Sequence, residues 1–268
     1  MLTVSNIAWP QGADPTFFRM VANAGFDGVD LAPTKIWPGW KIPADHGADF
    51  RRTLNDFGLT AVGMQSLFFE AGKLNLFAHC GQSWAEFLAH IDTLVSIACA
   101  TGAAKMVFGA PANRNPGSLS YDEAWKVALE RVRIIGDRLA PLGIQLCMEP
   151  VPASIGGKFL CSTEETIRFI RQVDHPSVRL TLDTAVLYHE SADIQRTIIE
   201  SAELIGHVHA SEPSLGDFDR PLVDHKAVSN TLKEVAYTGA VAIEMAAKSA
   251  REHQNLVRAL DYVGSVYA

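Results

Sequence analysis

Eight short apolar segments alternate with longer helical patterns from one end of the sequence to the other. This repeat constrains the fold more than any other feature, since short apolar runs predict buried strands and a period near 3.6 predicts helices. The predicted strands are 3–6, 28–31, 60–65, 105–109, 144–149, 178–183, 204–209 and 240–244. The predicted helices lie near 14–24, 47–57, 83–101, 121–141, 163–173, 191–202, 224–237 and 247–262.

Strands that alternate with helices pair in parallel through right-handed crossovers. Eight such units in 268 residues favour a closed TIM (β/α)8 barrel over an open sheet. Because no low-complexity linker divides the chain, we expect one domain over residues 1–268. The long segments 32–46, 66–82 and 110–120 follow strands 2, 3 and 4, and in a barrel they lie on the face where ligands bind.

Charge and hydropathy exclude several classes of partner. The formal net charge is −7, which leaves no broad basic surface for nucleic acid. The sequence contains no uncharged apolar run of roughly 18 residues, as a membrane-spanning helix requires, and its beginning lacks the features of a signal peptide. The four cysteines form no CxxC pair and are typical of reduced thiols. We therefore expect a cytoplasmic protein with neither a nucleic-acid nor a membrane partner.

The last four predicted strands carry polar residues in one phase at their carboxyl ends. Side chains of a strand alternate between its two faces, and the aliphatic phase of a barrel strand packs against the helices outside. This alternation predicts that one residue at the end of each strand faces the barrel interior near the ligand-binding rim. These residues are Glu149, Asp183, His209 and Glu244.

Three buried carboxylates and an imidazole in one small volume are costly unless an opposite charge balances them. A divalent cation would do so, and oxygen-rich donors with one nitrogen favour Mn²⁺ or Mg²⁺, with Co²⁺ or Zn²⁺ as alternatives. A single acid at a strand end is more commonly a helix cap or an ion-pair partner. Four in the same phase and at the same end indicate a metal site.

Five further polar residues lie at predicted positions near the rim. Asn6 and Gln65 end strands 1 and 3 and either bind substrate hydroxyls or are satisfied within the protein. Arg114, in the loop after strand 4, either binds a phosphate or carboxylate or is solvated. Glu212 follows strand 7 and either contacts substrate or orients a ligand, whereas His207 lies one layer deeper and supports the site.

Four segments of the sequence resemble the metal-site segments of the xylose isomerase-like TIM barrels. They are Met148-Glu149-Pro150, Leu182-Asp183-Thr184, His207-Val208-His209 with Ser211-Glu212, and Ile243-Glu244-Met245. Within that superfamily the sequence is most similar to the sugar phosphate isomerase/epimerase group, which includes the ketose 3-epimerases. The spacing of the segments is also similar, and the resemblance covers essentially the whole chain.

This resemblance implies isomerisation or epimerisation of a small carbohydrate through a cis-enediolate, with one divalent metal ion held by the four residues. It further implies that Glu149 and Glu244 exchange protons with the two faces of the sugar, while Asp183 and His209 mainly hold the metal. A metal at the substrate carbonyl stabilises the negative charge that proton removal creates. Related barrels often pair, so the resemblance also suggests a homo-oligomer.

Two departures from the epimerases concern substrate recognition. Val186 stands where they usually carry a substrate-contacting histidine, and residues 151–155 replace a polar segment after strand 5. These departures argue against a strict free-ketose 3-epimerase. A metal-dependent lyase or deglycosidase acting on an oxidised sugar is therefore an alternative, followed by a non-catalytic sugar-binding barrel. An abasic-site endonuclease shares the fold, but it would need more histidine ligands and a basic groove.

Overall fold

The computed structural model describes residues 1–12, 14–40, 42–247 and 251–268. Eight parallel strands pair in chain order, and β1 pairs with β8, which closes the barrel. The strands are β1 (Leu2–Ser5), β2 (Gly28–Leu31), β3 (Thr60–Met64), β4 (Lys105–Phe108), β5 (Gln145–Met148), β6 (Val178–Asp183), β7 (Ile205–Ser211) and β8 (Val241–Glu244). The predicted (β/α)8 barrel is therefore confirmed.

Helices follow every strand of the barrel along the chain. They are α1 (Asp14–Asn23), α2 (Pro33–Ile36), α3 (Ala44–Asp56), α4 (Gly81–Thr101), α5 (Tyr121–Leu139), α6 (Thr163–Val173), α7 (Thr184–His189), α8 (Ile194–Ser201), α9 (His225–Glu234) and α10 (Glu252–Tyr267). Local sequence explains several of their starts. Ser120 and Glu123, for example, form a reciprocal capping box at α5. None of the described helices is long and apolar enough to cross a bilayer.

The predicted boundaries differ from the structure at several places near the ligand-binding face. The expectation that Asn6, Gln65 and Glu149 end their strands is wrong, because each lies one residue beyond the strand. Strand β7 continues to Ser211, which pairs with Glu244 of β8, so the expectation that His209 ends its strand is wrong. The short helix α7 was not predicted, because its first turn is defined by a cap that Asp183 supplies from β6. The predicted start of the last helix falls partly on 248–250, which lie outside the described residues.

The two faces of the barrel strands differ in polarity. The aliphatic phase of β5 and β6, which includes Leu146 and Leu182, is fully buried. The opposite phase carries buried polar residues, and His207 of β7 reaches Asp30 of β2 on the far side of the barrel. The polar phase therefore points inward, as the alternation of the strands predicts.

Candidate metal centre

Four side chains at the carboxyl ends of β5 to β8 converge on one point. Glu149 directly follows β5, Asp183 ends β6, His209 lies in β7 and Glu244 ends β8. Each offers one ligand atom, and these atoms all lie within 4.8 Å of one another. The structure thus brings together the residues that strand phase selects. We call them the quartet.

The polar atoms of the quartet approach one another without forming hydrogen bonds. Nδ1 of His209 lies 2.9 Å from Oε1 of Glu149 and 3.3 Å from Oε2 of Glu244. Both contacts are within ion-pair distance but lack hydrogen-bond geometry, and Nδ1 and Glu149 Oε1 have no hydrogen-bond partner among the residues that the structure describes. Buried polar atoms without partners are costly. Because a cation between them would satisfy both, the donor set fits a divalent metal ion.

Asp183 serves both as a helix cap and as a member of the quartet. Its Oδ1 accepts hydrogen bonds from the Val186 amide (2.9 Å) and from Oγ of Ser211 (2.8 Å). The first of these bonds caps α7. Capping therefore does not remove Asp183 from the quartet, since the same carboxylate caps α7 and lies within 4.8 Å of the other candidate ligand atoms.

Burial and mutual charge shift the titration of the quartet. Burial raises the pKa of Asp183 to about 7, and the carboxylates of Glu244 and Glu149 add to the rise. Burial alone would lower the pKa of His209, but the same two carboxylates raise it well above its ordinary value. Burial raises the pKa of Glu244, but the interactions with His209 and Gln65 outweigh this effect and bring the pKa below its usual range. Without a metal, protons on Asp183 and His209 therefore offset part of the negative charge.

Gly109 and Arg114 fix the position of Glu149. A Cβ atom at position 109 would overlap Oε2 of Glu149, so the carboxylate lies in space that only glycine leaves open. Nη2 of Arg114 donates to the main-chain carbonyl oxygen of Glu149 (2.9 Å) and, more weakly, to that of Gly109 (3.4 Å). These bonds join the carboxyl ends of β4 and β5 behind the quartet.

Arg114 itself lies in the interior, so the alternative that it is a solvated loop residue is wrong. Its side chain is 1% exposed and packs over the ring of Phe108, 5.5 Å from the ring centroid. Burial lowers the pKa of Arg114 to about 10. The short helical turn at Ala112–Arg114 directs the side chain inward, a geometry that loop composition alone does not reveal.

A second polar layer lies beneath the quartet and includes one residue that the sequence analysis missed. Oδ2 of Asp30 is 2.5 Å from Nε2 of His207 and 4.0 Å from Nε2 of His209. Its Oδ1 accepts hydrogen bonds from the Gly63 amide (3.1 Å) and from Oγ1 of Thr3 (3.3 Å). The supporting position predicted for His207 fits this arrangement. The sequence feature that could have identified Asp30 is a single acidic residue within the apolar strand β2.

Of the other candidates, Gln65 lies beside the quartet, whereas Asn6 binds the main chain just after β2. Nε2 of Gln65 donates to Oε1 of Glu244 (2.7 Å), and Oδ1 of Asn6 accepts from the Ala32 amide (2.8 Å). Within the described part of the chain, Gln65 Oε1 and Asn6 Nδ2 are buried without a hydrogen-bond partner.

Glu212 has a different environment from the other candidates. One carboxylate oxygen accepts from the Leu222 amide (2.8 Å), and the other is 2.9 Å from Nε2 of His225. The side chain is 3% exposed and holds the loop after β7 against the start of α9. The structure thus gives Glu212 a loop-positioning role, and a direct substrate contact stays a prediction.

Two cavities meet at the quartet. One, of about 420 Å³, opens between the ends of β3 and β4 and is lined by Gln65 and Asn113. The other, of about 380 Å³, opens beside the ends of β5, β6 and β7. Glu149 and Glu244 line both cavities. Each is within the size range of small-molecule sites.

Fold and site together define a TIM barrel with a candidate carboxylate–histidine metal centre at its carboxyl-terminal mouth. Residues 18–264 match the family described as xylose isomerase-like TIM barrel. The chain therefore belongs to this family, and the resemblance seen in the four metal-site segments is confirmed.

Curated relatives include a 3-epimerase and an isomerase. The D-psicose 3-epimerase of Ruminiclostridium cellulolyticum is 26% identical over 120 residues, which is 45% of this chain and 41% of that protein. The 2-oxo-tetronate isomerase of Haemophilus influenzae is 24% identical over 234 residues, which is 85% of either chain. Among solved structures, a D-psicose 3-epimerase studied in the presence of D-fructose has a TM-score of 0.84 at 18% identity over 99% of both chains. At that identity the structural likeness shows the fold alone.

Proposed function

We propose that the protein is a metal-dependent isomerase or epimerase of a small carbohydrate that carries a hydroxyl group next to its carbonyl. The convergence of the quartet, with Nδ1 of His209 and Oε1 of Glu149 buried and lacking hydrogen bonds, carries this proposal. Relatives named as a 3-epimerase and an isomerase support it, because both names describe rearrangements of a sugar or sugar acid.

The quartet would hold one divalent ion, Mn²⁺ or Mg²⁺ before Co²⁺ or Zn²⁺, since three of the four donors are carboxylates. When bound, the ion supplies electrostatic stabilisation of the negative charge that develops on the substrate oxygens. Asp183 and His209 would act mainly as ligands. Cap hydrogen bonds fix Asp183, and the β7 backbone fixes His209.

Glu149 and Glu244 are the proposed acid–base pair. Both carboxylates line the two cavities, so each has access to a bound substrate. The hydrogen bond from Gln65 and the charge of His209 keep the pKa of Glu244 below the usual range, which leaves its carboxylate ionised and able to accept a proton. Arg114 and Gly109 hold Glu149 in place from behind. Removal of a carbon-bound proton by one carboxylate and delivery of a proton by the other would convert substrate to product through an enediolate.

Substrate hydroxyls would be bound by the remaining candidates to different extents. Gln65 lines the cavity between β3 and β4. Its Oε1 and Nδ2 of Asn6 form no hydrogen bond with any described residue and could bind a hydroxyl group. Arg114 and Glu212 already bind main-chain groups, which supports an indirect role in substrate binding through Glu149 and the β7 loop. A cytoplasmic location and self-association into a homo-oligomer belong to the same proposal.

Hydrogen exchange at substrate carbon tests the function directly. Protein loaded with Mn²⁺ is incubated with free and phosphorylated keto- and aldo-sugars in deuterated buffer and followed by NMR. We expect metal-dependent deuterium incorporation with at least one substrate, and loss of about 10²–10⁴-fold in rate for Glu149→Gln and Glu244→Gln. The matched control is Glu130→Gln on the exposed face of α5.

The products of the same experiment separate the competing activities. A rearranged sugar supports the isomerase or epimerase, whereas release of a leaving group assigns the lyase or deglycosidase alternative. Ligand affinity without carbon-bound exchange for any sugar would contradict an enzymatic role and leave a sugar-binding barrel.

A further inference from the structure

We propose, resting on the function proposed above, that the substrate carries an apolar substituent on one side of its hydroxycarbonyl unit. The 380 Å³ cavity beside β5, β6 and β7 would bind that substituent. The cavity is continuous with the quartet, because Glu149, Asp183 and Glu244 form part of its wall. A group bound there is therefore attached to, or lies next to, the reacting carbons.

Apolar side chains form most of the remaining wall of this cavity. The loop after β5 contributes Val151, Pro152 and Ile155, α7 contributes Val186, and the turn after β7 contributes Leu215. Ile155 is 67% exposed at the entrance, whereas Val151 and Val186 are buried deeper in the wall. Such a surface favours aliphatic carbon over hydroxylated carbon, since a buried hydroxyl needs a partner.

Apart from the quartet, the polar side chains of the same cavity already have partners within the protein. Oγ of Ser154 lies 3.0 Å from Nε2 of His189, and Oγ of Ser211 donates to Asp183. Both oxygens of Glu212 are occupied by the loop that it holds, and Ser214 also has an intramolecular interaction. Away from the quartet, a hydroxylated chain in this cavity would therefore meet only polar side chains that already interact within the protein.

The position of Leu215 indicates that this wall is preformed. Ser214 and Leu215 have φ values of 60° and 52°, in the left-handed region that residues other than glycine rarely adopt. The carbonyl oxygen of Leu215 accepts a hydrogen bond from the Ala246 amide beyond β8 (3.1 Å). Two consecutive residues in this conformation persist only where the surroundings fix them.

The other cavity, between the ends of β3 and β4, is more polar. This difference between the two cavities gives the substrate an orientation. Gln65, Ser66, Glu70 and Asn113 contribute to the wall of the 420 Å³ cavity. We infer that the hydroxylated part of the substrate lies toward β3 and β4 and its apolar part toward β5, β6 and β7. Substrates of this class are deoxy sugars, alkyl-substituted hydroxyketones or sugars that carry an apolar group.

A homologous ligand series measures this preference. Paramagnetic relaxation of ligand protons by bound Mn²⁺ gives the affinities of hydroxyacetone, 1-hydroxy-2-butanone and 1-hydroxy-2-pentanone for the loaded protein, with dihydroxyacetone as the polar counterpart. Burial of one methylene corresponds to about fourfold in affinity. A gain of at least twofold per methylene supports the inference, and a smaller gain, or tighter binding of dihydroxyacetone than of 1-hydroxy-2-butanone, overturns it.

Two variants connect the effect to this wall. Val186→Thr keeps the side-chain shape but adds a hydroxyl group, and we expect it to reduce the gain per methylene by at least half. Val257→Thr, at an exposed site on α10, is the matched control and should retain the full gain. An equal gain in all three proteins would place the apolar contact elsewhere and overturn the assignment.

The series also separates failure of this inference from failure of the proposed function. Relaxation reports occupancy beside the metal whether or not the ligand reacts, and deuterium incorporation reports the reaction. Binding that strengthens with chain length but without exchange for any ligand or sugar would contradict the enzyme while keeping the apolar site. Exchange without a preference for alkyl chains would contradict only the apolar site.

Discussion

At the residue scale, a small number of atoms decides whether the quartet can hold a cation. Oε1 of Glu149 is buried without a hydrogen bond to any described residue, and its partner oxygen occupies the space above Gly109. The absence of a side chain at position 109 is thus as important for the site as the carboxylate that fills the space. The sequence alone does not show that the position of Glu149 depends on Gly109, because the dependence arises from contact between the ends of β4 and β5.

We predict that Gly109→Ala separates metal binding from folding. The added Cβ forces the flexible end of Glu149 to move, so we expect Mn²⁺ affinity to fall about tenfold or more while the free energy of unfolding changes by less than about 1 kcal/mol. Titration calorimetry and chemical denaturation measure the two effects. Gly81→Ala is the control, since its Cβ would meet no described atom within 4 Å. Equal Mn²⁺ affinity in both variants would contradict the prediction.

Metal binding should strengthen as the pH rises. In the metal-free protein the pKa of Asp183 is raised to about 7 and that of His209 is raised well above its ordinary value, so an entering ion must displace protons from both. Below the pKa, each displaced proton changes affinity about tenfold per pH unit. We expect Mn²⁺ to bind at least tenfold more tightly at pH 8 than at pH 6.

Calorimetry in two buffers of different ionisation enthalpy checks the cause of this pH dependence. Net proton release on Mn²⁺ binding should be larger at pH 6 than at pH 8. The same affinity at both pH values, or binding without proton release at pH 6, would show that the quartet is already fully deprotonated.

At the element scale, strand register determines which residues meet. Asp183 of β6 pairs with His209 of β7, and Ser211 of β7 pairs with Glu244 of β8. Glu244 therefore lies two positions nearer the mouth than His209 along their shared ladder. The register of β6 against β7 shifts between Leu180 and Thr181, near the start of β7. Register depends on the neighbouring strand, so the sequence of one strand does not reveal it.

Across the barrel, Asp30 of β2 links the second polar layer to the quartet. We predict that Asp30→Asn weakens Mn²⁺ binding about 10–100-fold, because it removes the negative charge that faces Nε2 of His209. Titration calorimetry measures the change, and circular dichroism confirms that the barrel remains folded.

The control for this substitution lies at the other end of the same strand. Asp27→Asn makes the same chemical change just before β2, at a carboxylate that accepts from the Leu2 amide (2.7 Å) outside the site. It should leave Mn²⁺ affinity unchanged. If both variants bind Mn²⁺ like the wild type, Asp30 does not support the metal centre.

For the whole molecule, the quartet draws on four strands, so metal binding should stabilise the closed barrel. At a free Mn²⁺ concentration of 100 times Kd, linkage predicts about 2.7 kcal/mol of added stability. For a chain of this size that raises Tm by roughly 5–10 °C. Thermal unfolding with and without Mn²⁺ measures the shift, and a chelator should reverse it. Glu149→Ala should lose most of the Mn²⁺-induced shift, and a full shift in that variant would exclude Glu149 as a ligand.

The sequence by itself determined the barrel and the identity of the quartet. Apolar length, helical periodicity and two-residue alternation are local properties of the chain, and the order of strands in a (β/α)8 barrel follows from their order in sequence. Glu149, Asp183 and Glu244 could therefore be assigned to the interior rim before any contact was known. His209 was also assigned to the interior rim, although β7 continues two residues beyond it to Ser211.

Only the tertiary structure decided what surrounds the quartet. The bond from Gln65 to Glu244, the contact of Asp30 with His207 and the burial of Arg114 join residues from different strands and loops. Their geometry depends on how the barrel closes and how each loop folds over its mouth. The apolar wall around Val186 has the same origin, because distant loops assemble it. Side-chain alternation selects which residues face inward, but packing between distant segments decides what they touch.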